Sequence, residues 1–122
     1  MTHIVTVTLP FPDAKLSPNS RAPWRKIEAT KAARELAYYQ TRQLLNGQLI
    51  IREPLAVSMY FYPPARRHFD LDNMISRCKA YQDGIFQALG LDDHLIVTLT
   101  AQRCDVVKGG RVSMEIESED VK

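Results

Sequence analysis

Apolar and polar residues alternate over residues 4–9, with Val5, Val7 and Leu9 on one side, the period of a strand with one buried face. Pro10-Phe11-Pro12 stops this run, and Ser17-Pro18-Asn19-Ser20-Arg21 has turn chemistry. Over residues 25–46 the period becomes helical. Ala29, Ala33, Leu36, Ala37 and Leu44 recur on one side, and Gly47 follows as a stop. Alternation returns over 55–62, where Leu55, Val57, Met59 and Phe61 share a face. Pro63-Pro64 ends that strand and opens a basic loop. A second helix is predicted over 70–89, with a core stripe of Leu71, Met74, Ile75, Cys78, Gln82, Ile85 and Leu89. Gly84 lies inside it, at a cost of about 1 kcal/mol relative to alanine. Strands are predicted over 95–101 and 112–116, with Lys108-Gly109-Gly110 as the turn between them.

The predicted order is β-α-β-α-β-β. It implies an α+β fold, a small mixed sheet packed by two helices, as a single domain over 1–122. A chain of 122 residues is long enough for one domain with a real core. No apolar run approaches the ~20 residues of a membrane span. Met1-Thr2-His3 leads straight into the first strand without a signal peptide, so the expected compartment is the cytoplasm, with no membrane partner. Cys78 and Cys104 stand in no metal-binding spacing and are expected to be reduced. Net charge is +2. Glu115, Glu117, Glu119 and Asp120 crowd the C-terminus, so the body is more basic than the total, and residues 117–122 are expected to be a frayed acidic tail.

The candidate chemistry lies in two short strings, Asp70-Leu71-Asp72-Asn73 and Asp92-Asp93. Carboxylates gathered at one place repel unless a cation neutralises them. Hard oxygen donors suit Mg²⁺ or Mn²⁺. Arg66, Arg67, His68, Arg77 and Lys79 flank the first string and suit a phosphate substrate. On a helical wheel at ~100° per residue, Ser76, Lys79 and Asp83 fall within about 40° of Asp72, making one polar ridge beside the apolar stripe. Taken singly, each feature has a plain structural meaning. Asp70 is a helix cap, Asp72 complements the helix dipole, Asp92-Asp93 is a solvated turn, and Lys79 with Asp83 is a surface pair. Taken together they point to metal-dependent cutting of nucleic acid.

These residues give the chain a resemblance to the RusA family of Holliday junction resolvases. The resemblance rests on Asp70-Leu71-Asp72-Asn73, a lysine in the following helix, Asp92-Asp93 about twenty residues on, the opening Thr8-Leu9-Pro10-Phe11-Pro12 and the Lys108-Gly109-Gly110 segment. It covers nearly the whole chain. It implies a homodimer that binds four-way junctions or other branched DNA and nicks two strands symmetrically, using Mg²⁺ or Mn²⁺. Asp70, Asp72 and Asp93 would be the metal-binding and catalytic carboxylates, with Asp92 the less favoured of its pair. Asn73 would support the site. The family's lysine lies four residues after the second motif aspartate, where this chain has Ser76. Lys79, three residues later on the same face, would take its place among the catalytic residues.

Within that reading Arg66, Arg67 and Arg77 would hold flanking phosphates. Trp24, Tyr38, Tyr39 and Phe69 are expected in the core or a dimer contact, with Phe69 the best placed to touch DNA. Two rivals differ in class. One is a branched-DNA-binding or phage accessory protein that keeps the fold without cutting. The other is a phosphohydrolase of small phosphates, which would need a pocket and not an open groove.

Overall fold

The computed structural model describes residues 2–17, 23–45 and 55–119. Four strands and three helices follow one another as β1 (Thr2–Leu9), α1 (Pro23–Leu45), β2 (Leu55–Tyr62), α2 (Leu71–Arg77), α3 (Lys79–Leu89), β3 (Ile96–Arg103) and β4 (Arg111–Glu119). The α+β class, the single sheet and the β-α-β-α-β-β order hold, with the second helix divided in two. The expected turn at Pro18-Asn19-Ser20-Arg21 and the stop at Gly47 lie outside the described residues.

The sheet order is β1-β4-β2-β3. β4 runs antiparallel to both β1 and β2, whereas β3 runs parallel to β2. Hydrophobic alternation sets the register. Ile116 of β4 faces Val5 and Val57, Met114 faces Val7 and Met59, and Val112 faces Leu9 and Phe61. All nine are buried. A one-residue slip would turn each apolar set to the other face.

β3 and β4 are therefore not a hairpin. β2 lies between them, so residues 104–110 cross the end of β2 instead of turning back. The crossing is tied down where the Cys104 N–H donates to the Phe61 carbonyl (2.8 Å) and the Val107 N–H to the Pro63 carbonyl (3.0 Å). Gly110 takes φ +70°, and a Cβ there would meet Pro64 Cδ at 2.9 Å and Phe11 Cβ at 3.0 Å. Lys108-Gly109-Gly110 has turn chemistry, but long-range pairing decided which strands it joins. Nor is the acidic end frayed from residue 117. Glu117 pairs with Ile4 and Ala56, and Ser118 with His3 and Leu55, so β4 runs on through Glu119.

α1 buries Ala33, Ala37 and Thr41, spaced four residues apart, and leaves Leu36 and Leu44 37% and 55% exposed. The small residues face inward because α1 lies close against α3. A Cβ on Gly84 would fall within clashing distance of the Arg34 carbonyl oxygen and 3.1 Å from Ala37 Cβ. Thr41 satisfies its buried hydroxyl by donating to the Ala37 carbonyl at 2.7 Å. Of the aromatics on this helix expected in the core or a dimer contact, Trp24 and Tyr39 are not in the core, being 60% and 63% exposed.

The predicted helix over 70–89 breaks at Cys78, where φ −86° and ψ 1° leave the helical region. Met74, Cys78 and Ile85 of the expected stripe are buried, and Ala80, Tyr81, Gly84 and Phe86 join them. α3 buries this wide arc because it packs against both α1 and the sheet. The Tyr81 hydroxyl donates to the Pro10 carbonyl (3.0 Å), fastening α3 to the turn after β1. Both cysteines are free, with Cys78 buried.

Candidate functional site

β1, β2 and β3 run the same way, so the segments that leave their C-terminal ends lie along one edge of the sheet. The starts of two of these, within residues 63–69 and 103–106, line a cavity of about 580 Å³. Arg66, Arg67, His68 and Phe69 line one side, and Arg103, Cys104, Asp105 and Val106 the other. The sequence offered no signal for Arg103, which ends an edge strand far from the basic loop. Its guanidinium sits 4.5 Å from the centre of the Phe69 ring and donates to the Phe69 carbonyl. On another side Phe69 makes an edge contact with Phe11 at 6.0 Å. The residue singled out to touch DNA is thus half-buried and fixed between an aromatic ring and a cation.

Phe69 leads into Asp70, the N-cap residue of α2. Its carbonyl accepts from the Met74 N–H at 3.1 Å, but its carboxylate makes no capping hydrogen bond. Capping therefore does not account for the side chain. Asp72 is in the first turn, and its carbonyl accepts from the Ser76 hydroxyl at 3.1 Å. Among the described residues neither carboxylate forms an ion pair. Asn73 points the other way and accepts from the Ser17 hydroxyl at 3.1 Å, joining α2 to the 3₁₀ turn at Ala14–Leu16.

The second cluster centres on Lys79. Its Nζ lies 2.9 Å from Asp83 and also bonds Asp93, fourteen residues away in sequence. The hydrogen bond that Lys79 donates to Asp93, more than any other cause, raises the Lys79 pKa, so the ammonium stays charged. Ser76, Lys79 and Asp83 share one recess of about 220 Å³, so three of the four ridge residues remain together despite the break at Cys78. Arg77 and Lys26 also line that recess, and the buried Nε of Arg77 has no hydrogen-bond partner among the described residues. Arg77 accordingly lies against α1 and not with Arg66 and Arg67.

Asp92 and Asp93 have different work. Asp92 caps the 3₁₀ turn at Asp93–Leu95, accepting from the His94 N–H at 3.2 Å and lying 3.0 Å from His94 Nδ1. The side-chain contact with His94 is the largest cause holding its pKa below the usual carboxylate value. Asp93 is the one turned toward Lys79.

A divalent ion on Asp70, Asp72 and Asp93 would need the three carboxylates at one point. Among the described residues no group of three or more histidine, cysteine, aspartate or glutamate side chains is placed to hold a metal. Asp93 is instead neutralised by Lys79. As the side chains stand, they do not form the metal set that the resemblance implies.

No family model matches the chain. An uncharacterized protein of Xylella fastidiosa is 40% identical over 114 residues, which cover 91% of this chain and 74% of that protein. The chain belongs to the same family as that protein. Among solved structures, the periplasmic domain of Helicobacter pylori MotB aligns over 94% of this chain and 76% of its own, with TM-score 0.44 and 8% identity. Thiamine-monophosphate kinase from Stenotrophomonas maltophilia aligns over 95% of this chain and 30% of its own, with TM-score 0.33 and 13% identity. Likeness that slight carries no argument about fold or function. No described helix is long and apolar enough to cross a membrane.

Proposed function

We propose that this family member is an endonuclease of branched DNA, a RusA-like resolvase that acts in the cytoplasm as a homodimer on four-way junctions. The observation that carries the reading is the Lys79–Asp93 contact. It joins a lysine and an aspartate that the sequence reading places in one site, fourteen residues apart, from α3 and the 3₁₀ turn that follows it. The uncapped carboxylate of Asp70, next in sequence to Phe69 of the cavity that Arg66 and Arg67 line, supports it.

Because the carboxylates do not make a three-donor metal set as they stand, the proposed roles are those of the chain's own groups. Arg66 and Arg67 hold backbone phosphates next to Asp70 and Asp72. Such contacts set the position of a duplex without reading its sequence. Lys79 supplies a fixed positive charge, which lowers the cost of negative charge developing on a phosphate. Mg²⁺ or Mn²⁺ enters as a requirement to be measured. A two-fold dimer matches a substrate that needs two symmetric cuts.

The test is cleavage of a labelled four-way junction with Mg²⁺, with Asp72→Asn alongside. Paired symmetric nicks by the wild type, lost in Asp72→Asn while junction binding persists, are the expected result. Tight binding with no nicks from either protein would reject the enzyme and favour the non-cutting accessory protein, with Ser76 at the family's lysine position as the reason.

A further inference from the structure

The cavity at the C-terminal ends of β2 and β3 has features that duplex backbone binding does not require. At about 580 Å³ it is within the ~300–1,000 Å³ range of small-ligand sites and is roomy for a lone phosphate. Its walls are of two kinds. Arg66, Arg67 and Arg103 are cationic against the single carboxylate of Asp105, while Pro63 and Val106 are apolar. Crevices beyond the carboxyl ends of parallel strands are common ligand sites, because the segments leaving those ends part there.

Arg103 is pre-set within it. The contact with the Phe69 ring, 4.5 Å from its centre, holds the guanidinium in place, and one N–H is committed to the Phe69 carbonyl. A guanidinium has five N–H donors and two flat faces. With Phe69 beside it and one donor used, Arg103 keeps several donors, and a guanidinium packed on one side can accept a ligand on the other. Bases stack on arginine planes as they do on aromatic rings, and arginine forks match phosphate oxygens.

We propose that this cavity holds one unpaired nucleotide of a DNA strand, its phosphate on Arg66 and Arg67 and its base stacked on Arg103. The inference rests on the branched-DNA reading and deepens it. A paired base cannot enter such a pocket, so the site would favour DNA whose pairing is interrupted, as at a branch point.

The experiment measures binding of the full chain, without divalent metal, to a fluorescent thymidine trinucleotide, a fully paired duplex, free thymidine monophosphate and inorganic phosphate. Arg103→Ala, Arg103→Lys and Arg66→Ala are compared with the wild type, each after a melting curve. Stacking on one base is large enough that Arg103→Ala should weaken trinucleotide binding about tenfold, with Arg103→Lys failing to restore it. Duplex binding should change far less. Arg66→Ala, in an exposed loop, tests the phosphate contact if Arg103→Ala does not fold, and is expected to weaken the trinucleotide as well. Unchanged trinucleotide binding in Arg66→Ala and in every folded Arg103 variant overturns the proposal. So does thymidine monophosphate or phosphate binding as tightly as the trinucleotide, which would give the cavity to a free small anion. Junction cleavage is scored separately. Cleavage with no Arg103 effect leaves the nuclease reading and removes the pocket, whereas trinucleotide binding through Arg103 without cleavage does the reverse.

Discussion

Gly84 of α3 rests directly against the backbone of Arg34 in α1, with no room for a side chain between them. A Cβ at Gly84 would crowd the Arg34 carbonyl oxygen and come within 3.0 Å of the Tyr38 nitrogen. These neighbours are backbone atoms of a long helix, which cannot move aside singly. Helix propensity alone says that Gly84→Ala stabilises by about 1 kcal/mol. Overpacking against backbone costs about 1–3 kcal/mol or more. The contact should win, and thermal melting of Gly84→Ala is expected to show a net loss of at least ~1 kcal/mol. A gain in stability would mean that α1 and α3 do not approach this closely.

Gly109 and Gly110 adjoin in sequence and both take positive φ, yet only Gly110 is crowded. Gly109→Ala meets open space and pays the left-handed backbone term alone, about 1–2 kcal/mol. Gly110→Ala adds a clash with Pro64 and Phe11, and should cost clearly more in a urea titration. Equal losses would argue against the path of residues 104–110 across the end of β2.

Stability should fall at alkaline pH. Burial pushes the Cys78 thiol from 9.0 up to about 12, and burial likewise pushes the Tyr81 phenol from 10.0 up to about 12. Both groups hold their proton more tightly folded than unfolded. Their contribution is whole below pH 9 and is lost as pH rises toward about 12. Lys79, raised chiefly by its hydrogen bond with Asp93, adds a loss of the same sign in the same direction. Melting temperature measured across this window should drop, and Cys78→Ala should drop less steeply. Cys78 should also resist thiol reagents at neutral pH until the protein unfolds, because the thiolate is the reactive form.

The adjacent aspartates should separate in function. Asp93→Asn removes the carboxylate bonded to Lys79, and junction cleavage is expected to fall by roughly 10²-fold or more, the scale of losing one preorganised charged group. Asp92→Asn disturbs an exposed turn cap and should keep cleavage within several-fold, with a small loss of stability. The comparison is made by initial nicking rates on one junction substrate. A reversed order would move the site from Asp93 to Asp92.

The sequence by itself determined the four strands, the helical stretches and which faces of β1 and β2 are buried. Alternation at Val5, Val7, Leu9, Leu55, Val57, Met59 and Phe61 is a local signal, since the strand period alone puts these residues on one side. The acidic and basic strings were legible for the same reason: their residue types and spacing are properties of the chain. Only the tertiary structure decided what depends on long-range approach. It put β2 between β3 and β4, so Lys108-Gly109-Gly110 crosses where a hairpin was expected. It turned Ala33, Ala37 and Thr41 inward in preference to Leu36 and Leu44, because close packing on Gly84 favours small residues over apolar bulk. It divided the helix at Cys78, carried β4 through residues expected to fray, and set Arg77 in a recess beside α1. It brought Asp93 to Lys79 and Arg103 to Phe69, pairs fourteen and thirty-four residues apart. No period or motif encodes those meetings, because they arise only when the folded chain brings separate side chains to one place.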